Sequence, residues 1–146
     1  MFRSRHVHNI DNKGRLSIPA GYRVELQAQS DQAPILTNHK DCLALYSNEA
    51  WVAFEEDLAA MSQFRPENKA FNRLLVSGAT EVNFDSQGRI LIPQHLRDHA
   101  RLEREVTIAG VGQFIEIWDK ALFDQDKQKS LANYDAISAV VADAES

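Results

Sequence analysis

The sequence predicts an α+β fold, mainly β, made of two pseudo-symmetric halves that each run β-β-α-β-β. One observation is a repeated string: DNKGRLSIP stands at positions 11–19, and DSQGRILIP returns at 85–93. The other is the alternation of apolar and polar residues around both strings, which is typical of strands. Two copies are too few for a solenoid, so we expect the halves to pack together.

The repeat also sets the predicted domain boundaries. The first half covers residues 1–75 and carries a helical extension, and the second half covers residues 76–125. The remaining stretch, residues 126–146, is an acidic, alanine-rich tail, for which we expect either a frayed helix or disorder.

Each half begins with a predicted β-hairpin. HVHNID and TEVNFD alternate as strands and end in aspartate, and RLSI and RILI resume the strand after the turn. The turn residues Asp, Asn, Ser and Gly favour a loop of four to five residues. Pro19 and Pro93 then suit the first position of a short helix.

A second strand pair closes each half. APILTN precedes CLALY in the first half, and EVTIAGV precedes FIEIW in the second. Ser47 and Asp119 follow these strands as predicted helix N-caps. The aromatic residues on either side of each cap have the spacing of a hydrophobic staple, Tyr46 with Trp51 and Trp118 with Phe123.

An inserted helical pair distinguishes the first half. EAWVAFEEDLAAMSQF predicts one helix, Pro66 interrupts the pattern, and PENKAFNRLLVSG predicts a second. Four aromatic residues recur there at roughly helical spacing and are predicted to lie in the core or in a subunit interface: Trp51, Phe54, Phe64 and Phe71.

Composition excludes several classes of protein. The chain has 146 residues, 44% of them hydrophobic, and no apolar stretch of membrane-spanning length. Its amino terminus lacks the apolar core of a signal peptide. The lone cysteine, Cys42, lies in an apolar run and is expected to be a buried structural thiol. These features predict a cytoplasmic protein without a membrane partner.

Catalytic and metal-binding motifs are weak. His6 and His8 form an H-x-H pair that could be half of a metal site, but no third ligand has suitable spacing, since the other histidines are scattered. No nucleophile elbow, phosphate-binding glycine loop or acid–base carboxylate pair is evident. We therefore predict no metal, no cofactor and no enzymatic activity.

The arginine that follows the glycine in both turns is the strongest functional candidate. The spacing brings Asp11 near Arg15 and Asp85 near Arg89. Each pair could simply fix its turn as an ion pair or stay solvated. A guanidinium on a rigid turn is also suited to phosphate or to the edge of guanine, and a β-ribbon can enter the major groove.

Local charge favours nucleic acid over the purely structural interpretation. The chain carries a net charge of −5, which alone argues weakly against a nucleic-acid partner. Residues 1–23, however, carry a local charge of +4, because a single aspartate stands among five basic residues: Arg3, Arg5, Lys13, Arg15 and Arg23. In the strand pattern Arg3 and Arg5 share one face, and we expect them to reinforce the field around Arg15.

The chain resembles the MraZ family over about residues 1–125. The resemblance is carried by MFRSRHVHNIDNKGRLSIPAGYR, NRLLVSGA, DSQGRILIPQHLR and IEIWD, and the tandem Asp-x-x-x-Arg turns are its most specific feature. It implies a double swapped-hairpin barrel of the AbrB kind, ring-shaped homo-oligomers, and sequence-specific binding of double-stranded promoter DNA. It further implies a nucleoid-associated regulator of transcription of the division and cell-wall gene cluster, including its own gene.

The resemblance also implies which residues bind DNA. Arg15 and its basic neighbours are the expected contacts, namely Lys13, Arg3 and Arg5, with Arg89 as the counterpart in the second half. Four further residues are expected to orient the turns: Asp11, Gly14, Asp85 and Gly88. Gln87 replaces the lysine in the second turn, which makes that turn less basic.

Two alternatives from another class of function remain open. One is a scaffold whose arginines bind an acidic protein partner. The other is an antitoxin-type protein of the same fold, whose tail would bind a toxin, although such proteins usually carry one copy of the hairpin and this chain carries two. Salt-dependent binding to promoter DNA would distinguish the regulator from both.

Overall fold

The computed structural model describes residues 1–145, which form an α+β fold with eight strands and six helices. The strands are β1 Arg5–Asn9, β2 Arg15–Ser17, β3 Ile35–Asn38, β4 Leu43–Tyr46, β5 Thr80–Glu81, β6 Arg89–Leu91, β7 Glu105–Gly110 and β8 Ile115–Asp119. The helices are α1 Ala20–Gln29, α2 Asn48–Ala59, α3 Pro66–Leu75, α4 Gln94–Ala100, α5 Lys120–Ala132 and α6 Tyr134–Glu145. The predicted α+β class is confirmed, although helices cover more of the chain than the description "mainly β" anticipates.

The strands form two antiparallel sheets that interlock the halves. The larger sheet has the order β1-β7-β8-β4-β3-β5, and the smaller one is the pair β2-β6. Four of the six strand pairings join the first half to the second: β1 with β7, β2 with β6, β3 with β5 and β4 with β8. The two repeats therefore share one sheet system.

The prediction that the two strands of each β-hairpin pair with each other is wrong. The turns form as expected, since Asp11 N donates to Arg15 O at 3.0 Å and Asp85 N donates to Arg89 O at 2.9 Å. Beyond the turns, however, the first strand of each half pairs with a strand of the other half. This exchange lets Leu16 pair directly with Ile90 and buries both side chains almost completely.

The larger of two hydrophobic clusters in residues 1–145 lies between the sheets and the short helices. It draws buried side chains from both halves, including Leu16, Leu36, Ile90, Ile92 and Ile108. A smaller cluster packs under α2 and includes Ile35, Ala44, Tyr46 and Trp51, with Phe54 half-buried against it.

The helix starts agree with the predicted capping. Ser47 Oγ accepts from Ala50 N at 3.1 Å, and Asp119 Oδ2 accepts from Leu122 N at 3.3 Å. The staple pairs also meet, with ring centroids 5.4 Å apart for Tyr46–Trp51 and 5.8 Å apart for Trp118–Phe123. Pro19 and Pro93 stand at the N-caps of α1 and α4, one residue before the predicted position.

Not all of the aromatic residues that were predicted to lie in the core or in a subunit interface are buried. Trp51 is buried, whereas Phe71 is exposed on α3 and Phe64, which follows α2, is 99% exposed. The described part of the predicted tail, residues 126–145, belongs to α5 and α6 except for Asn133, which forms a turn between them. Position 146 lies outside the described residues. No helix between residues 1 and 145 has the length and apolar character needed to cross a membrane.

Candidate nucleic-acid interface

The two repeated turns have the same hydrogen-bonding pattern. In the first, Asp11 Oδ1 accepts from the backbone N–H of Lys13 at 3.0 Å and of Arg15 at 2.8 Å. The Arg15 Nε–H donates to Asp11 Oδ2 at 2.6 Å. Gly14 has φ +89°, a conformation that glycine adopts without strain.

The second turn repeats each of these contacts. Asp85 Oδ1 accepts from Gln87 N and from Arg89 N, both at 2.9 Å, and Asp85 Oδ2 accepts from Arg89 Nε at 2.8 Å. Gly88 has φ +75°. Both aspartates thus orient an arginine side chain and hold the backbone of the turn at the same time.

These contacts alter the acidity of both aspartates. The backbone N–H of Arg15 is the largest cause that lowers the Asp11 pKa, and its guanidinium adds to the effect, bringing the pKa to about 2. The matching bonds from Arg89 lower the pKa of Asp85. Both carboxylates are therefore ionised at neutral pH, and each holds its arginine as an ion pair.

Pairing of β2 with β6 brings both arginines to one face of a ribbon. Arg15 lies opposite Leu91, and Arg89 lies opposite Ser17. Since Leu16 and Ile90 point into the core, the neighbouring positions face outward. Arg15 and Arg89 are diagonal neighbours on this outer face, a relation that places Cα atoms about 7–8 Å apart.

The guanidinium groups keep free donors. The hydrogen bonds of the Arg15 and Arg89 side chains to other residues within 1–145 use Nε only, so both Nη atoms of each remain unpaired there. The side chains are 37% and 25% exposed. Two parallel N–H groups on an accessible guanidinium can bind a phosphate or the O6 and N7 atoms of guanine.

Two more arginines cover the turns, and sequence reasoning did not assign them to the site. Arg97 lies over Gly14, where an added Cβ would come within 2.7 Å of its Cζ, and Arg23 lies over Gly88, where the distance would be 2.6 Å. The Nε of Arg97 donates to Ile92 O at 2.9 Å, and the Nε of Arg23 donates to Ile18 O at 3.1 Å.

Each turn is therefore completed by the other half. Besides the covering arginine, a backbone bond crosses between the halves at each turn: Ile92 N donates to Gly14 O at 2.8 Å, and Ile18 N donates to Gly88 O at 3.1 Å. The signal in the sequence was the repeat itself, since each covering arginine stands eight residues after the arginine of its own half's turn.

We define the basic cluster as the five cations of this region: Lys13, Arg15, Arg23, Arg89 and Arg97. They stand against two carboxylates, Asp11 and Asp85, so the region is positive although the whole chain is negative. A local positive field of this kind is suited to a polyanion even when the net charge of the chain is negative.

Arg3 and Arg5 do not join the basic cluster, contrary to the expectation that they reinforce Arg15. Arg5 begins β1, and the turn follows the other end of that strand, about 13 Å away at 3.3 Å per residue. The Arg5 Cζ lies 5.5 Å from the centre of the Phe123 ring, which is a cation–π contact with α5. Arg3 precedes it and is exposed.

Of the isolated residues singled out in the sequence, Cys42 is buried as expected, and burial raises the pKa of its thiol. His6 and His8 are half-buried on β1. His39, by contrast, meets Cys42 and Glu116 in a cluster that sequence spacing did not reveal.

Comparison with known proteins gives consistent matches along the chain. The family model described as "MraZ protein, putative antitoxin-like" matches residues 1–74 and again 75–142. A protein named "Transcriptional regulator MraZ" from Syntrophobacter fumaroxidans is 40% identical over 97% of this chain and 94% of its own length. Proteins of the same name from Heliobacterium modesticaldum and Alkaliphilus metalliredigens are 40% and 41% identical, covering 98% and 94% of both chains.

Proposed function

The chain belongs to the MraZ family, and we propose that it is a transcriptional regulator that binds specific sequences in double-stranded promoter DNA. The single observation that carries the proposal is the pairing of β2 with β6, which sets two matching Asp–Arg turns on one exposed face. The relatives named as transcriptional regulators support the same role.

In this mechanism each turn keeps its arginine side chain in a fixed orientation. Each aspartate binds the Nε side of its arginine, so the Nη atoms are directed without further loss of side-chain freedom on binding. Arg15 and Arg89 contact base edges or bind phosphates. The other cations of the basic cluster supply positive charge for the DNA backbone.

The proposal extends to assembly and targets. The interlocked strand pairings are the arrangement that we assign to the double swapped hairpin of this family. Exposed apolar residues around α2 and α3, notably Met61, Phe64, Phe71 and Leu74, are suited to contacts between copies in a ring-shaped homo-oligomer. The target is the division and cell-wall gene cluster and the protein's own promoter, and the protein acts in the cytoplasm at the nucleoid.

Selection of bound duplexes from a random library by the purified full chain tests this function. We expect enrichment of a short motif in repeated copies, because each subunit offers two turns and a ring offers many. Binding to the selected DNA should fall steeply as salt rises, since cations of the basic cluster displace counterions. Light scattering of the same sample should give a mass well above that of a dimer.

Two outcomes would contradict the proposal. Failure to enrich any sequence, together with binding that is insensitive to salt, would favour the scaffold or antitoxin-type alternative. A monomer mass at micromolar concentration would remove the ring while leaving the DNA-binding face open to separate measurement.

A further inference from the structure

A histidine, a cysteine and a glutamate that are distant in sequence meet beside the turn between β3 and β4. One ligand atom each of His39, Cys42 and Glu116 lies within 4.8 Å of the other two. His39 and Cys42 flank the turn, where His39 N donates to Cys42 O at 2.9 Å. Glu116 arrives from the other half because it pairs with Ala44 in the β4–β8 ladder. None of the three belongs to the basic cluster.

The thiol and the carboxylate already have the spacing of metal ligands. Cys42 Sγ lies 3.7 Å from Glu116 Oε2. A tetrahedral zinc ion, with a Zn–S distance of about 2.3 Å and a Zn–O distance of about 2.0 Å, separates its sulfur and oxygen ligands by about 3.5 Å. A cation could therefore enter between these two atoms with little movement of the backbone.

Hydrogen bonds from residues outside the cluster orient Glu116 and His39. The indole N–H of Trp118 donates to Glu116 Oε1 at 3.0 Å, which turns Oε2 toward the thiol. His39 Nε2 lies 3.1 Å from the Tyr46 hydroxyl, so ligation through Nδ1 would leave the second nitrogen with a partner. Metal sites typically hold their histidine and carboxylate ligands by such contacts.

The environment favours a cation. Cys42 is buried, while His39 and Glu116 are half-buried. A neutral imidazole has a lone pair with which it can bind a metal ion. The Glu116 carboxylate brings negative charge to within 3.7 Å of the Cys42 sulfur. A divalent ion would balance that charge.

We propose that His39, Cys42 and Glu116 form a binding site for a divalent cation of the zinc class, with water as the fourth ligand. Sulfur and imidazole nitrogen favour zinc over magnesium or calcium, which prefer oxygen alone. On binding, the Cys42 sulfur bonds to the ion and its proton passes to solvent, with no change in oxidation state. The ion would link the β3–β4 turn to β8 and thus tie the two halves together.

Cobalt titration of the full chain, stripped of metal and kept reduced, tests the site. Because Cys42 is the lone cysteine, a thiolate-to-cobalt absorption band in the near ultraviolet can come only from this residue. We expect the band to saturate at one ion per chain and to disappear when zinc displaces cobalt. Zinc should also raise the melting temperature, as a ligand of the folded state does.

Variants locate the ion. C42A should abolish the band, and E116Q should weaken cobalt affinity by about tenfold or more. A double variant, His6→Gln with His8→Gln, removes the H-x-H pair on β1 and should bind cobalt as the parent does. Circular dichroism checks that each variant is folded.

The parent chain alone can overturn the proposal. Trp118 contacts Glu116, so bound cobalt should quench tryptophan fluorescence in step with the absorption band. Absence of both signals in folded, reduced protein with cobalt in excess would show that the cluster is not a metal site. Binding that persists in C42A but is lost in the H-x-H variant would place the metal on β1 and equally refute it.

Discussion

At the scale of single residues, the repeated turns pair an arginine with an aspartate that limits its freedom. Asp11 and Asp85 each accept two backbone bonds and one guanidinium bond. A purely structural ion pair would use the same contacts. The distinguishing property is that the Nη atoms of Arg15 and Arg89 make no hydrogen bond to residues 1–145, and that both residues lie on one face of the β2–β6 ribbon. Their replacement should therefore change binding more than stability.

Replacing the two arginines separately tests this distinction. Arg15→Ala should weaken specific DNA binding by about 1–3 kcal/mol per contacting subunit, if its Nη atoms make a bidentate base contact. Arg89→Ala should cost less, because Gln87 stands where the first turn has Lys13. Asp11→Ala should weaken binding less than Arg15→Ala. Titration with selected and scrambled DNA measures these losses.

Thermal melting supplies the control for these variants. The melting temperature of Arg15→Ala should stay near that of the parent, since partly exposed ion pairs contribute little to stability. Parent-like binding of selected DNA by Arg15→Ala would mean that the turn is only structural.

The lowered pKa of Asp11 gives a second prediction at the scale of residues. The pKa of Asp11 is lowered from 3.8 to about 2 in the folded chain. A lowered carboxyl pKa stabilises the fold at pH values above the unfolded pKa, and that contribution is lost as pH falls from about 4 toward 2. Titration of the Asp11 carboxyl by NMR should give a midpoint near the lower value.

Titration of Asp11 in the Arg15→Ala variant separates the effect of the guanidinium from that of the backbone N–H. It retains the backbone N–H that is the largest cause of the shift and loses only the guanidinium. Its Asp11 should therefore titrate between the parent value and the ordinary value. An Asp11 midpoint in the parent chain at or above 3.8 would contradict the hydrogen-bonding pattern of the turn.

At the scale of elements, each turn depends on a glycine that a neighbouring arginine covers. Gly14 combines φ +89° with close approach of the Ile92 carbonyl, which would lie 2.9 Å from an added Cβ. Gly14→Ala should therefore destabilise the chain by about 1–3 kcal/mol, since a strained backbone conformation costs that much. Urea unfolding measures the change.

Gly21→Ala is the matched control. Gly21 lies in α1 with nothing within 4 Å of an added Cβ. Alanine should stabilise that exposed helical position by about 0.5–1 kcal/mol. Changes of the same sign and size at both positions would refute the role that we give to the first turn.

At the scale of the whole molecule, the halves are interdependent. Four strand pairings cross between them, and the core mixes side chains from both. We therefore expect that neither residues 1–75 nor residues 76–146 folds as a monomer when produced alone, because each would expose unpaired strand edges and half a core. Circular dichroism with mass measurement tests this expectation, and a folded, monomeric half would contradict it.

The basic cluster is likewise a property of the assembled halves. Arg97 of the second half covers the first turn, and Arg23 of the first half covers the second. A variant such as Arg97→Ala could therefore act on the turn that contains Arg15, although the two residues are far apart in sequence.

The sequence by itself determined the features that depend on local spacing. Turn residues and the aspartate–arginine interval predicted both turns, and periodicity with capping residues predicted the helices that begin after Ser47 and Asp119. These features follow from chemistry within a few residues of chain, and such chemistry can be read directly from the order of amino acids.

Only the tertiary structure decided the partners across distance. Local alternation identifies a strand but not its neighbour, so the exchange of β1 and β2 between halves could not be read from either half alone. For the same reason the sequence did not predict that Arg23 and Arg97 cover the turns, or that Cys42 contacts Glu116. Burial of Leu16 against Ile90 favours the exchanged pairing, and that energy exists only once both halves are folded together.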